Sequence, residues 1–308
     1  MKNATLTLPK RRGNALERGK NRAGMLFILP SVILCAMFML WPLAEVVRYS
    51  FTDWNGVNAD YNYVAFKNYL EISKIDGFTE MMIATITFAI GTTILTVVIS
   101  FITALALDKK GKGRINRGLM RSLWFLPALL SGTVVGMLWR IMYNFNNGMI
   151  NKVLMSMGLE KVNWLETRGL TNIAVIVGST WVQIGMCVIV FMAGLQSIPQ
   201  DLYEAAAIDG AVPRQQLWHI TLPMMASSIT INVITTTIAG FKAYELPYNI
   251  SKGMPGKSTL LMTQRIFFFG FQDFDYGLGS ALSVFLLLII AAISLIQLIY
   301  LKKREDIY

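Results

Sequence analysis

Gly256-Lys257-Ser258-Thr259 has the ending of a phosphate-binding loop, in which backbone N–H groups cradle phosphates and a lysine reaches the outer ones. That loop requires a glycine five residues before Gly256, and Ser251 stands there with no apolar β-branched strand ahead of it. Nucleotide binding is therefore not expected at this point. His219 is the only histidine, which removes histidine-cluster catalysis and a multi-histidine metal site; it reads as an interfacial or capping residue. Asp273 and Asp275 flank Phe274 in an aromatic-rich segment. Their closeness could suggest paired glycosidase carboxylates, but an external loop position favours solvation or contact with a partner protein. No catalytic residue, metal or cofactor is predicted.

A different stretch could dock a partner: Glu204-Ala205-Ala206-Ala207-Ile208-Asp209-Gly210, followed by Ile220-Thr221-Leu222-Pro223. Pro199 stops the apolar run before it, Asp201 can cap a new helix, and Leu202 to Asp209 predicts that helix as a short one with an alanine run. Gly210 can take positive φ and turn the chain; Pro213 opens a second short helix carrying Leu217, Trp218 and Ile220. Three alanines let another surface come close, and Glu204 offers it a carboxylate. From the residues alone, the insert is either an amphipathic surface helix that fixes loop geometry or a docking element.

The elements that position this insert are membrane helices. A mean hydropathy of +0.50 with only 15% charged residues is too apolar for an ordinary soluble domain. Apolar runs cover 24–49, 81–107, 118–142, 171–195, 223–244 and 279–301, each near the roughly 20 residues a bilayer requires. Each must be helical, because a lone strand would leave amides unpaired in lipid. The net charge of +10 comes from basic residues just outside these runs, not from a stripe interleaved with aromatics, so nucleic acid is not the expected partner. Lys2, Lys10, Arg11, Arg12, Arg18, Lys20 and Arg22 precede the first run. Lys109, Lys110, Lys112, Arg114, Arg117 and Arg121 come after the second, and Lys302, Lys303 and Arg304 close the chain. Both termini are thus expected in the cytoplasm. By parity the segment 197–222 is also cytoplasmic, and its single basic residue, Arg214, suggests that a partner covers it. The first run is too long for a signal-peptide core and lacks a small-x-small site, so it is read as retained. Cys35 and Cys187 lie inside apolar runs and read as packed small hydrophobes.

Polar residues inside membrane helices usually face the bundle interior. Gln183, Asn232, Thr235 and Thr236 are the candidates for lining a pathway, since amides and hydroxyls suit a neutral polyhydroxylated solute. Hydrogen bonding between helices is the competing reading. Lys242 and Glu245, three apart, are expected to pair, and Gly178, Gly185 and Gly194 to permit close packing against a neighbouring helix or a partner subunit.

Glu204-Ala205-Ala206, then Gly210, then Ile220-x-Leu222-Pro223 resembles the EAA motif of binding-protein-dependent ABC importer permeases. Phe51-Thr52-Asp53-Trp54, Phe66-Lys67-Asn68-Tyr69, Trp124-Phe125-Leu126-Pro127 and Gly253-x-Pro255 with Thr259 are similar to the MalF-type sugar branch, without a large external domain. The resemblance implies an all-α integral membrane fold of six transmembrane helices. A tail at 1–22 and another at 302–308 would flank a permease domain at 23–301, with the coupling loop at 197–222. It assigns ATPase coupling to Glu204, Ala205, Ala206, Asp209, Gly210, Leu222 and Pro223. It implies as partners two ATP-binding subunits, a second permease, an extracytoplasmic solute-binding protein and membrane lipid. The solute would be a sugar or oligosaccharide, or alternatively glycerol phosphate or another small polar molecule. External Lys252 and Lys257 fit either an anionic solute or an acidic binding protein. An ion-coupled secondary transporter would need internal repeats and charged intramembrane couplers, and a membrane enzyme would need clustered carboxylates or metal ligands; neither pattern is evident.

Overall fold

The computed structural model describes residues 25–108 and 114–305. The basic leader, Lys109, Lys110, Lys112 and the last residues of the C-terminal tail (306–308) lie outside the described residues. The described regular elements are helical, apart from one isolated antiparallel bridge between Thr52 and Tyr63. The first helix, α1 (Met25–Tyr49), is long and apolar enough to cross a membrane. Short α2 (Lys67–Ile72) leads to α3 (Phe78–Asp108). Then come α4 (Arg114–Phe125), α5 (Gly132–Met142), α6 (Met149–Ser156) and α7 (Leu170–Ser197). The polar insert forms α8 (Gln200–Ile208) and α9 (Pro213–Met224), and α10 (Ala226–Phe241) comes next. Two short helices, α11 (Glu245–Ser251) and α12 (Met262–Phe271), precede α13 (Tyr276–Glu305). Besides α1, the helices long and apolar enough to span are α3, α7 and α13.

The third and fifth apolar runs are not the straight helices that hydropathy suggests. The segment Ser122–Leu129 meets α5 at 105°, and α9 meets α10 at 65°. Pro127 stands in a 3-10 turn at Leu126–Leu129, after which Leu130 and Ser131 are extended. In the fifth run, Pro223 lacks the N–H a regular helix would use, a π turn precedes it at Leu217–Thr221, and Met225 leaves helical geometry with ψ of 1°.

α3 and α7 run side by side in the same direction. Ser100 Oγ donates to the Ile184 carbonyl at 3.2 Å, and Phe101 meets Phe191 edge-on at 5.4 Å. α10 lies against α3 where Gly240 faces the Ala89 backbone: a Cβ at Gly240 would sit 2.9 Å from Ala89 Cα. Thr93 bonds Thr237, which accepts from Gln297 Nε2 at 3.0 Å, so α3, α10 and α13 are laced by polar groups. The glycines of α7 are filled from within the chain. Gly178 meets Ile250 and Trp139, Gly185 meets the backbone of Trp124 and Phe125, and Gly194 meets Ser228 and Met225. At the end opposite the polar insert, Asn68 Nδ2 donates to the carbonyls of Ser50 and Thr52 at 3.0 and 2.8 Å, and Gly277 N–H to Trp54 O at 2.9 Å. These bonds fasten the start of α13 to the segment after α1.

Candidate functional site

The helix α8 begins at Gln200 with Pro199 in the flanking position, so Asp201 sits in the first turn and not at the cap. A carboxylate there still favours the positive end of the helix dipole. At the other end Ala211 N–H bonds Ala206 O at 2.8 Å and Gly210 N–H bonds Ala207 O at 3.1 Å, with Gly210 at φ +80°. This pair of bonds is a Schellman closure, which needs a residue that tolerates positive φ. Pro213 then opens α9 at its first position.

α8 is held to α9 by one side-chain bond: Tyr203 Oη lies 2.9 Å from Thr221 Oγ1, and Thr221 is buried. His219 Nδ1 sits 3.0 Å from Gln215 O, one turn back within α9. The outward side of the insert is uncovered. Glu204, Ala205, Ala207, Asp209 and Gly210 are exposed and Ala206 is half-buried. Apolar side chains stand among them, with Ile208 at 86% exposure and Trp218 at 60%. Leu222 and Pro223 lie in the last turn of α9, against the bend into α10. A cavity of about 610 Å³ opens beside the insert between the end of α3, Tyr203 and α9, with Asp108 and Arg214 in its lining. A short helix that is fastened on one side and exposes a carboxylate, small residues and large apolar groups on the other can seat in a groove of a partner.

The structure does not gather the four intramembrane candidates on one face. Asn232 is fully buried and its Nδ2 reaches Cys187 O on α7 at 3.3 Å, so it bonds between helices. Thr236 is buried beside it and its hydroxyl bonds Asn232 O at 2.6 Å. Thr235 lies on the exposed side of α10 and bonds back to Ile231 O. Gln183 is half-buried on α7, with no hydrogen bond from its amide to another described residue. Burial thus pairs Asn232 with Thr236 and separates Thr235 from both.

Sequence reasoning missed α11 and α12, which hydropathy leaves inside an external loop. Pro247 and Gly253-x-Pro255 are the local signals of a broken path. The turn between these helices is pinned by Thr259 Oγ1, which bonds Ser251 Oγ at 2.8 Å and Met254 O at 2.9 Å. Lys257 is spent in an ion pair with Asp76, whose carboxyl is held below its ordinary value by that hydrogen bond and charge. Asp53 is likewise lowered by the bonds it accepts from Asn62, from N–H at 2.6 Å and Nδ2 at 3.2 Å. Among the described residues Lys242 and Glu245 form no ion pair; Glu245 opens α11 while Lys242 follows the last residue of α10.

The sequence profile of the family described as "Binding-protein-dependent transport system inner membrane component" matches residues 97–305, which include α8 and α9. The chain is 31% identical to the multiple sugar-binding transport system permease protein MsmF of Streptococcus mutans, over 92% of this chain and 96% of that one. It is 28% identical to the trehalose/maltose transport system permease protein MalF of Thermococcus litoralis, over 94% and 97%. Its fold is similar to a chain of a bacterial alginate ABC transporter crystallised with an alginate pentasaccharide-bound periplasmic protein. The TM-score there is 0.78 at 21% identity, over 94% of this chain and 96% of that one.

Proposed function

The chain belongs to the binding-protein-dependent transport system inner membrane components, and from that premise we propose that it passes a sugar or oligosaccharide inward by alternating access. It is the multi-pass permease subunit of an ABC importer of the plasma membrane; ATP hydrolysis belongs to a separate subunit. The proposed topology has six spans, with the bent pairs ending in α5 and α10 as the third and fifth, and both termini in the cytoplasm. α8 is the coupling helix. Glu204, Ala205, Ala206, Asp209 and Gly210 seat in a groove of the ATPase, and Leu222 and Pro223 carry its movement to α10. The expected assembly has two ATP-binding subunits, a second permease and an extracytoplasmic binding protein. The sugar assignment is supported by the two sugar permeases to which the chain is similar. The binding-protein partner is supported by the family description and by the periplasmic protein in the alginate complex.

One observation carries the coupling assignment. α8 is free on its Glu204-Ala205 side yet tied to α9 through Tyr203 and Thr221, and α9 bends by 65° into α10. A push on α8 therefore reaches α10 through the Tyr203–Thr221 contact and the bend, besides reaching α7 directly through Ile198 and Pro199. A conformational change needs a ligand that binds the two states differently, and ATP-driven closure of a paired ATPase supplies that difference. The test is purification of the tagged chain from its native host in mild detergent, with co-purifying subunits identified by mass spectrometry. An ATP-binding subunit is expected with the wild type and is expected to be lost with Glu204→Lys and with Gly210→Pro. Its retention by both variants would overturn the docking assignment.

A further inference from the structure

The glycines Gly132 and Gly136 of α5 form a seam against α11 that fixes the register of the two helices. A Cβ at Gly132 would lie 3.3 Å from Glu245 Oε2 and 3.6 Å from Glu245 Cβ. One turn on, a Cβ at Gly136 would lie 2.6 Å from Asn249 Cβ and 2.9 Å from Leu246 O. Four residues along α5 therefore match four along α11, so the helices run parallel in close contact, as small residues spaced by four allow. One more turn brings Arg140 beside the end of α11, where Lys252 caps it.

Both side chains line one cavity of about 380 Å³ at the end of the molecule opposite α8. Neither Arg140 nor Lys252 forms an ion pair among the described residues. Lys252 is held in place: its N–H bonds Tyr248 O at 2.8 Å in the left-handed region (φ +56°), and its ammonium lies 4.4 Å from the Tyr248 ring centre. The same ammonium is 3.4 Å from Asn249 Oδ1. Asparagine amides complete the polar lining. Asn144 Oδ1 accepts from the N–H groups of Asn146 and Asn147 at 3.0 and 2.9 Å, which leaves its NH₂ free to donate into the cavity. Glu166 is the single lining carboxylate; its Oε2 accepts from Asn163 Nδ2 at 2.8 Å, and it forms no ion pair among the described residues. Lys257, in contrast, is already paired with Asp76, so the two external lysines of this loop differ in what they have left to bind.

We infer that Arg140 and Lys252 form a carboxylate-receiving pocket at this end of the permease. The lining sets two cations against one carboxylate, so an added anion is drawn to the cavity. Arginine presents a planar fork that a carboxylate matches with two parallel bonds, while lysine adds a point charge. The importer reading enters only in placing the pocket on the outer face. The carboxylate can be carried by a protein side chain or by an acidic sugar, and both offer the same group to the same two cations.

The test uses the full chain in lipid nanodiscs and reads acylation of individual lysines by an amine-reactive reagent, with peptide mass spectrometry. Poly-glutamate, a galacturonic-acid trisaccharide and neutral maltotriose serve as probes. At least one carboxylate probe is expected to slow acylation of Lys252 threefold or more while exposed Lys74 is unchanged. Protection by poly-glutamate alone assigns the pocket to a protein partner, and protection by the trisaccharide assigns it to an acidic solute. Arg140→Gln is expected to remove the protection, and Arg140→Lys to restore part of it. No protection by either carboxylate probe, equal protection by maltotriose, or full protection in Arg140→Gln would overturn the pocket. A nanodisc sample that fails here but still captures the ATP-binding subunit sinks the pocket alone and leaves the importer reading intact.

Discussion

Replacing Gly185 and replacing Gly210 are expected to injure the protein in different ways. A Cβ at Gly185 would stand 2.5 Å from the Trp124 carbonyl oxygen and 2.8 Å from Phe125 Cα, both backbone atoms that cannot swing aside. Gly185→Ala must push α4 away from α7, at a cost of about 1–3 kcal/mol, and should lower the Tm in detergent. At Gly210 a Cβ meets nothing within 4 Å, and only the φ of +80° resists a side chain. Gly210→Ala costs about 1 kcal/mol, confined to the closing turn of α8. It should speed hydrogen exchange at the amides of 210 and 211 and leave Tm almost unmoved. Equal falls in Tm from both substitutions would refute this division. The role of Gly210 was legible in the sequence because turn chemistry is local. Gly185 was legible only as a small residue on a helix, since its neighbour lies some sixty positions away in the chain. A pH effect belongs to this scale too. The Asp53 carboxyl is lowered by its Asn62 bonds from an ordinary value of 3.8, so its clamp contributes fully above that pH and is lost as pH falls through the lowered value. Trp54, whose ring stacks on Tyr49 at 4.2 Å, should report the loosening by fluorescence. Asp53→Asn should show the loosened signal at neutral pH, and a wild-type signal from that variant would show that the carboxylate does not hold the loop.

At the scale of elements, the bend between α9 and α10 is the feature on which the proposed coupling depends. Pro223 withholds a helical hydrogen bond in the same turn that leads to Met225, so the joint is weak by construction. Pro223→Ala supplies the missing donor and favours a straighter, stiffer α9. The expected result in reconstituted vesicles is a fall in solute taken up per ATP hydrolysed, with the ATP-binding subunit still bound. Unchanged uptake per ATP would show that the bend is no lever. Hydropathy located all six apolar runs but could not show that two of them are broken, because a break leaves composition intact. It also passed over α11 and α12, which are seven and ten residues long and too short for a span. The seam that joins α5 to α11 was hidden for another reason. Gly132 and Gly136 stand one turn apart in plain view, but what fills them lies more than a hundred residues further on.

For the whole molecule, the order of burial separates helices that a sequence reads as equivalent. None of the most apolar 18-residue stretch of α1 is buried by the rest of the chain, against 11% for α13, 33% for α3 and 56% for α7. Composition could not predict this order, since in lipid an exposed face and a packed face are equally apolar. α7 is thus the axis around which α3, α5, α10 and α11 assemble, whereas α1 touches the bundle only through its last turns and the segment just after them. A lipid-soluble photoreactive probe acting on the chain alone in nanodiscs should mark α1 on every face, Phe27, Met37 and Phe38 included. On α7 it should mark two patches on opposite faces, Ile173 and Val177 near the start of the helix and Met186 and Ile189 further along it, and it should spare Val188 and Phe191. Labelling all round α7 would mean that the bundle does not hold together without its partners. If the pattern on the lone chain is as expected, the same experiment on the assembled transporter asks what covers α1. A face of α1 that loses its label on assembly is covered by protein, and a face that keeps it belongs to lipid. Because α1 contributes so little to the core, its position is the part of the fold that neighbours in the membrane have the most freedom to set.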